Sequence, residues 1–142
     1  MRSAGVAWLL DMYGFKVYTL AGGYKAYRNW VLKQFESAYN FKIIGGYTGS
    51  GKTLLLHALE KQGHEIIDLE ALANHKGSAL GGIGQEPQPR QEMFENLLAT
   101  KLAGMKPQSA NCQLPSANCS YLEDESQRIG NLQIPMPLWN TM

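Results

Sequence analysis

The stretch GYTGSGKT at residues 46–53 decides the fold, because it fits the pattern G-x-x-x-x-G-K-[ST] at every fixed position. Before it, residues 41–44 (FKII) have the apolar character of a short buried strand. After it, residues 54–59 (LLLHAL) carry an apolar stripe at helical spacing. A glycine-rich turn that matched by chance would not need these flanks. The sequence therefore predicts an α/β fold with a phosphate-binding P-loop.

The residue types of this loop suit a phosphorylated ligand. Glycines let successive backbone N–H groups turn inward on phosphate oxygens, and the helix N-terminus adds the positive end of its dipole. The Lys52 ammonium would neutralise the terminal phosphate, and the Thr53 hydroxyl could bind Mg²⁺. The predicted ligand-binding residues are Gly46, Thr48, Gly49, Ser50, Gly51, Lys52 and Thr53.

Size and composition set the outer limits. A chain of 142 residues has room for about one domain, and a hydrophobic content of 44% is ordinary for a folded protein. The net charge of +1 neither supports nor excludes a nucleic-acid partner. No stretch approaches the roughly 18 apolar residues that a membrane span needs, and the N-terminus does not read as a signal peptide. Cys112 and Cys119 have no zinc-like spacing, so we expect ordinary thiols in a cytoplasmic protein.

The first part of the chain reads as helix, strand, helix. Ala4–Tyr13 has helical spacing and stops at a glycine, Phe15–Leu20 is rich in β-branched and aromatic residues, and a second helix opens at Gly22. Three elements are too few to bury both faces of a sheet, which suggests the end of a larger α/β domain. We place this remnant at residues 1–36, a linker at 37–40 and a truncated P-loop domain at 41–142.

The P-loop domain is predicted to continue through four further segments. These are a strand over Glu65–Leu69, a long loop over Asn74–Arg90, a helix over Gln91–Ala103 and a second loop over Met105–Asn118. In the helix, we expect five side chains to point inward: Met93, Phe94, Leu97, Leu98 and Leu102. A last strand ends in acids at residues 121–125 (YLEDE). The strands that we predict are fewer than the roughly five of an average sheet.

Several short blocks carry a family resemblance. Residues 1–3 (MRS), 7–10 (AWLL), 14–15 (GF) and 20–28 (LAGGYKAYR) resemble the tail of a rhodanese domain. A rhodanese tail followed by a P-loop resembles the bacterial tRNA 2-selenouridine synthases. Further blocks agree, at residues 45–53 (GGYTGSGKT), 68–70 (DLE), 73–78 (ANHKGS) and 121–130 (YLEDESQRIG).

The resemblance implies a specific activity. Members of this family act on 2-thiouridine at the wobble position of tRNA. Their P-loop domain is associated with geranyl transfer from geranyl diphosphate to sulfur, and their rhodanese cysteine supports replacement of that sulfur by selenium from selenophosphate. An enzyme that supplies selenophosphate is then an expected partner, besides the tRNA. The family's cysteine is expected before Met1, so we do not expect selenium transfer from these 142 residues alone.

Within this reading, three residues are the predicted catalytic groups. Lys52 stabilises the diphosphate leaving group, and Asp124 is expected to hold Mg²⁺ together with Thr53. His75 is expected to contact tRNA phosphate or the diphosphate, together with the neighbouring Lys76. The alternative for Asp124 is a solvated acidic turn, and the alternative for His75 is a solvated loop residue.

Two other functions remain open from the sequence. A small-molecule kinase would use the same loop with Mg·ATP, but the segment from residue 74 to 90 is a poor lid because it holds one arginine. A non-catalytic module would use a nucleotide only to order its loops. The three functions differ in their products: a phosphorylated acceptor, no product, or an alkylated sulfur with pyrophosphate.

Overall fold

The computed structural model describes residues 2–47, 49–78, 81–105 and 119–142 of the chain. The chain divides into two compact units, Met1–Trp30 and Val31–Met142. The functional domain limits predicted above, at residues 36 and 41, stay a prediction.

The first unit contains helix α1 (Arg2–Met12) and the start of helix α2 (Gly23–Gln34). The chain leaves α1 at Gly14, whose φ of 80° suits glycine. The predicted strand over Phe15–Leu20 is wrong, because the described residues offer it no neighbouring strand with which to form hydrogen bonds. None of the described side chains between residues 3 and 30 is fully buried, so this unit has no core of its own among them.

The second unit is built on a parallel sheet of three strands, β1 (Phe41–Ile44), β2 (Glu65–Ile67) and β3 (Ser120–Glu123). The order is β1-β3-β2, with Ile44 opposite Glu123 and Ile67 opposite Leu122. This confirms the predicted α/β fold with a parallel sheet. The prediction that β1 is buried is wrong, since it lies at an edge and its Ile43 side chain is 37% exposed. The acidic end of β3 lies beside the end of β1, where the glycine loop begins.

Helix α3 (Lys52–Lys61) packs against β2 and β3, and helices α4 (Leu69–Ala73) and α5 (Gln91–Gly104) pack against each other. Helices α3 and α5 occupy the predicted positions. The short α4 replaces the predicted end of β2, because the Asp68 carboxylate caps it by accepting from the N–H of Ala71 at 2.8 Å.

The inward face of α5 is narrower than predicted. Phe94, Leu98 and Leu102 are buried at four-residue spacing, whereas Met93 and Leu97 are 52% and 38% exposed. The helix therefore packs through this row and the buried Ala99, and the expectation that Met93 and Leu97 point inward is wrong.

A hairpin that the sequence analysis did not predict follows the sheet. Strands β4 (Arg128–Ile129) and β5 (Leu132–Gln133) pair antiparallel, and a short helix α6 (Met136–Trp139) follows them. Gly130 takes the first position of the two-residue turn, with a φ of 60°. The Gln91 side-chain amide donates to the Gln133 carbonyl at 2.7 Å and accepts from its N–H at 2.9 Å, which fixes the hairpin to α5.

The apolar core of the second unit joins the helices, the sheet and the hairpin. Its fully buried members are Val31, Phe35, Leu56, Ile67, Phe94, Leu98, Leu102, Leu122, Ile129, Ile134 and Leu138. The predicted loop over residues 105–118, with Cys112, lies almost entirely outside the described residues, and Cys119 is a buried free thiol. None of the described helices is long and apolar enough to cross a bilayer.

Candidate phosphate-binding site

The glycine loop connects β1 to the first turn of α3. Gly49 and Gly51 have φ values of 81° and 86°, which only glycine adopts readily. The Ser50 N–H donates to the Tyr47 carbonyl at 3.0 Å, and Gly51 is the N-cap of α3. Thr48, a predicted ligand-binding residue, lies outside the described residues. The loop thus presents backbone amides and a helix N-terminus at the edge of the sheet.

Lys52 crosses back over this loop. Its Nζ donates to the Gly46 carbonyl at 3.0 Å. A Cβ at Gly46 would lie 2.7 Å from the Ser50 Oγ, so the loop is closed too tightly for a side chain there. The ammonium is therefore positioned over the turn, where a phosphate would meet both it and the loop amides.

The loop borders an open cavity of about 620 Å³ whose opposite wall is acidic. Four carboxyl side chains line it, against two lysines, and Tyr47 and Leu54 add apolar surface. The carboxyl groups belong to Glu70, Glu123, Asp124 and Glu125, and the lysines are Lys52 and Lys76. An anionic ligand would meet net repulsion here unless a cation or bound protons offset the carboxylates.

Glu123 lies within hydrogen-bonding reach of Thr53, in the first turn of α3. Its side chain is 3% exposed, and its Oε1 has no hydrogen-bond partner among the described residues. Burial raises the pKa of Glu123 above its ordinary value, and a hydrogen bond with the Thr53 side chain partly offsets this shift. Mg²⁺ in proteins is held by one or two carboxylates and by substrate phosphates. An orphaned carboxylate oxygen beside a hydroxyl therefore fits this ion.

Asp124, the predicted metal ligand, follows directly and lines the same cavity from an exposed position. Its N–H donates to the Ile44 carbonyl at 3.0 Å, which extends the ladder between β3 and β1 by one residue. The described residues contain no group of three or more His, Cys, Asp or Glu side chains arranged to hold a metal on their own. Any metal at this site would therefore depend on ligand oxygens to complete its shell.

Glu125 completes the acidic wall. Its side chain is 9% exposed and lies against Gly77, where a Cβ would be 2.0 Å from Oε2. The Gly77 N–H donates to the Glu70 carboxylate. Burial, followed by the charge of Glu70, raises the pKa of Glu125 to about 6. The two carboxyl groups therefore meet at one glycine, and Glu125 keeps its proton to a higher pH than an ordinary carboxyl does.

The loop that follows α4 is held by backbone hydrogen bonds. The Lys76 N–H donates to the Gly81 carbonyl at 3.0 Å, and the Gly81 N–H donates to the Ser78 carbonyl at 2.9 Å. A Cβ at Gly81 would lie 1.4 Å from the Lys76 carbonyl oxygen. The two sides of this loop can therefore come this close only because residue 81 is a glycine. Lys76, Gly77 and Ser78 line the cavity beside the glycine loop, which we call the phosphate cavity.

His75 does not line the phosphate cavity. It lines a second cavity of about 560 Å³, together with Gly82, Gln88 and the hairpin turn at Gly130. Its Nδ1 is buried and has no hydrogen-bond partner among the described residues. Arg128, beside this turn, donates from Nε to the Gly130 carbonyl at 2.9 Å.

The structure therefore gathers most of the predicted site at one cavity, namely Gly46, Gly49, Ser50, Gly51, Lys52, Thr53 and Asp124. It separates His75 from that set. Sequence reasoning missed Glu70, which reaches the cavity from the unpredicted α4, and it did not single out Glu123 from its neighbours. The strand pattern gave no signal for Glu123, because Leu122 and Glu123 are both buried and the burial of β3 does not alternate at its end.

A sequence model of the tRNA 2-selenouridine synthase AAA domain matches residues 39–142. No solved structure matches significantly.

Curated proteins named tRNA 2-selenouridine synthase align over nearly the whole chain. The protein of Hydrogenovibrio crunogenus is 40% identical over 136 residues, which are 90% of this chain and 34% of the relative. Those of Pseudomonas putida and Psychromonas ingrahamii are each 36% identical, over 95% and 100% of this chain and 34% and 36% of the relatives. The chain spans about a third of the length of these relatives. Because the model of the AAA domain covers most of its residues, the chain belongs to the tRNA 2-selenouridine synthase family.

Proposed function

We propose that this chain binds geranyl diphosphate in the phosphate cavity and supports transfer of the geranyl group to the sulfur of 2-thiouridine in tRNA. The proposal rests on one observation above all. Lys52 and the glycine-loop amides line the same cavity as two strongly exposed apolar side chains, Tyr47 and Leu54. A ligand with a diphosphate head and a hydrocarbon tail would use both.

The charged half of the site suits the leaving group. In this transfer the sulfur forms a bond to the first carbon of the geranyl chain, and the bond from that carbon to the diphosphate oxygen breaks. Charge develops on the departing pyrophosphate, so donors that are already in place lower the barrier. Lys52 Nζ and the N–H groups at the start of α3 are such donors.

The apolar half suits the tail. Tyr47 is 93% exposed and Leu54 is 79% exposed, although both lie at the rim of a polar cavity. Covering them with a hydrocarbon chain would remove apolar surface from water, at about 25 cal/mol per Å². The Tyr47 ring would also accept a stacked adenine, so Mg·ATP is the second candidate ligand, for a kinase or for a nucleotide-binding module.

Three residues would hold a Mg²⁺ ion in this site: Thr53 and Asp124, as predicted, and Glu123, whose free oxygen faces the same wall. When bound, the ion would neutralise phosphate charge against the acidic wall. Glu123 meanwhile orients the Thr53 hydroxyl.

The rest of the reaction belongs to the whole protein. We propose that selenium from selenophosphate replaces the geranylated sulfur, with tRNA as the substrate and a selenophosphate-supplying enzyme as a cytoplasmic partner. The rhodanese character of residues 1–36, suggested by their resemblance, is part of this proposal. The 142 residues contribute the diphosphate site.

The test is calorimetric titration of the chain with geranyl diphosphate and with ATP, each with and without Mg²⁺. Charge-assisted hydrogen bonds contribute about 1.5–3 kcal/mol each, so Lys52→Ala should weaken geranyl diphosphate binding roughly 10- to 100-fold. Lys61→Ala removes an exposed lysine from the other end of α3 and serves as the matched control.

Each outcome has a clear reading. Tighter binding of geranyl diphosphate than of ATP, dependent on Lys52 and on Mg²⁺, supports prenyl transfer. Tighter binding of ATP supports the kinase or module instead. Equal binding by the Lys52→Ala and Lys61→Ala variants would refute the P-loop as the binding site.

A further inference from the structure

We propose that the second cavity binds a nucleobase of the RNA substrate, turned out of its strand. This inference rests on the proposed function, because it assumes that tRNA is the substrate. The cavity lies between the end of α4, the segment from residue 82 to 88 and the hairpin turn, and its volume of about 560 Å³ falls in the range of small-molecule sites.

The two cavities share a wall. The loop after α4 turns Lys76, Gly77 and Ser78 to the phosphate cavity, and Asn74, His75 and Gly82 to the second cavity. The hydrogen bond between Lys76 and Gly81 holds the two sides of this loop together. The two cavities are therefore neighbours on either side of this one loop.

The chemistry of the second cavity suits a flat, neutral heterocycle. Ile83 is 73% exposed and offers an apolar side, while the His75 ring offers an aromatic one. The side-chain amides of Gln85 and Asn131 supply donors and acceptors at the rim. RNA bases are recognised in this way, by stacking on aromatic or apolar side chains and by hydrogen bonds to the base edge.

The charges argue for a base and against a phosphate inside the cavity. Glu86 is the one charged side chain among its described lining residues, so a phosphate there would be repelled. The guanidinium of Arg128 lies just outside, where its Nε binds the Gly130 carbonyl. A cation at the rim and a neutral interior match a nucleotide whose base enters while its phosphate stays outside.

The cavity is also preorganised. The Gln88 amide donates to the carbonyls of Ala73 and Ile129, both at 3.1 Å, and accepts from the Asn131 N–H at 2.9 Å. One side chain thus ties α4 to both ends of the hairpin turn. Gly130 leaves room for this contact, since a Cβ there would lie 2.4 Å from the Gln88 Oε1. A rigid site loses less entropy when a ligand binds.

The experiment compares two RNA hairpins by fluorescence anisotropy with the full chain. One carries 2-thiouridine in its loop, and the other has an abasic nucleotide at that position. Stacking contributes about 1–3 kcal/mol per base, so the wild-type chain should bind the base-containing hairpin about 5- to 150-fold more tightly.

Two variants address the cavity without touching the core: Ile83→Glu and Gln85→Ala, both at exposed positions. The control is Met93→Glu, which adds the same charge to an exposed apolar residue outside both cavities. Taking the ratio of the two hairpins removes the general repulsion of RNA by an added carboxylate. We expect Ile83→Glu to bring the ratio close to one, Gln85→Ala to reduce it several-fold and Met93→Glu to leave it unchanged.

A wild-type base preference that survives in Ile83→Glu and Gln85→Ala would overturn the inference and leave the proposed function intact. Failure of the wild-type chain to bind either hairpin would overturn this inference together with its RNA premise. The diphosphate titration would still report separately on the phosphate cavity.

Discussion

The phosphate cavity and the second cavity share one loop but are built in different ways. The side of the phosphate cavity that faces the acidic wall is made largely of backbone: glycines with positive φ, the N-terminus of α3 and one lysine folded over them. The second cavity is held by side chains that bond to residues far away in the sequence. The main example is Gln88, which hydrogen-bonds to Ile129 and Asn131, 41 and 43 positions later in the chain. A contiguous motif therefore defines the first site, and long-range contacts define the second.

The difference is also one of charge. The phosphate cavity sets four carboxyl groups against two lysines, whereas the second cavity is nearly neutral. A charged ligand and a cation suit the first, and an uncharged flat group suits the second. This difference in charge suits the two ligands that we propose, a diphosphate and a nucleobase.

The largest effect should come from the glycine in the shared wall. Gly81→Ala places a Cβ 1.4 Å from the Lys76 carbonyl oxygen, a clash that only backbone movement can relieve. We expect the free energy of unfolding to fall by about 3 kcal/mol or more, and both cavities to lose affinity. Urea denaturation measures the first effect, and titration with geranyl diphosphate and with the hairpin measures the second.

The neighbouring Gly82 supplies the control. A Cβ there would lie 3.6 Å from the His75 ring, an ordinary contact, so Gly82→Ala should change stability far less. Equal losses in the two variants would show that the close approach of residues 76 and 81 does not hold the wall together.

A smaller effect, confined to one cavity, should follow from Gln88→Ala. The substitution leaves the buried carbonyls of Ala73 and Ile129 without their donor and the Asn131 N–H without its acceptor. Unmet buried hydrogen bonds cost about 1–3 kcal/mol, so we expect a loss of about 2 kcal/mol in unfolding free energy. The preference for the base-containing hairpin should fall, while geranyl diphosphate affinity stays within about twofold.

Gln85→Ala is the matched control for stability, because it removes an exposed amide of the same segment. If Gln88→Ala weakened diphosphate binding as much as hairpin binding, the two cavities would not be separable in the way that we describe.

The same contrast explains what the sequence could predict. The P-loop, its flanking strand and helix, and α5 are set by local spacing, so their positions were predicted correctly. The acids after β3 were placed at the right edge of the sheet, because parallel strands end together.

The wrong predictions concern segments whose structure depends on contacts with residues far away in the sequence. Phe15–Leu20 has strand composition, but a strand also needs a neighbour, and the described residues supply none. Asp68 reads as part of β2, yet its carboxylate caps α4. The hairpin is too short to show a period, and it is fixed by glutamine side chains whose partners lie more than 40 positions away. His75 and Lys76 lie in one glycine-flanked loop, yet they line different cavities, and the predicted contact of His75 with tRNA phosphate or the diphosphate stays a prediction.

The smallest effect that we predict is a pH dependence of the unfolding free energy, which comes from the acidic wall of the phosphate cavity. The pKa of Glu125 is raised to about 6 from an ordinary 4.5, so the folded state holds this proton more tightly than the unfolded state. The resulting stabilisation is complete below about pH 4.5 and disappears as pH rises through 6, a change of at most about 2 kcal/mol. Glu125→Gln removes the titration.

We therefore expect the unfolding free energy of Glu125→Gln, relative to the wild type, to rise between pH 4.5 and 7 and then to level off. Urea denaturation in metal-free buffer at a series of pH values measures the difference. Glu86→Gln, which removes an exposed carboxyl at the second cavity, is the matched control. A flat difference for Glu125→Gln would mean that its carboxylate is not held against Glu70 at Gly77. An equal rise for both variants would mean that the effect does not come from the acidic wall of the phosphate cavity.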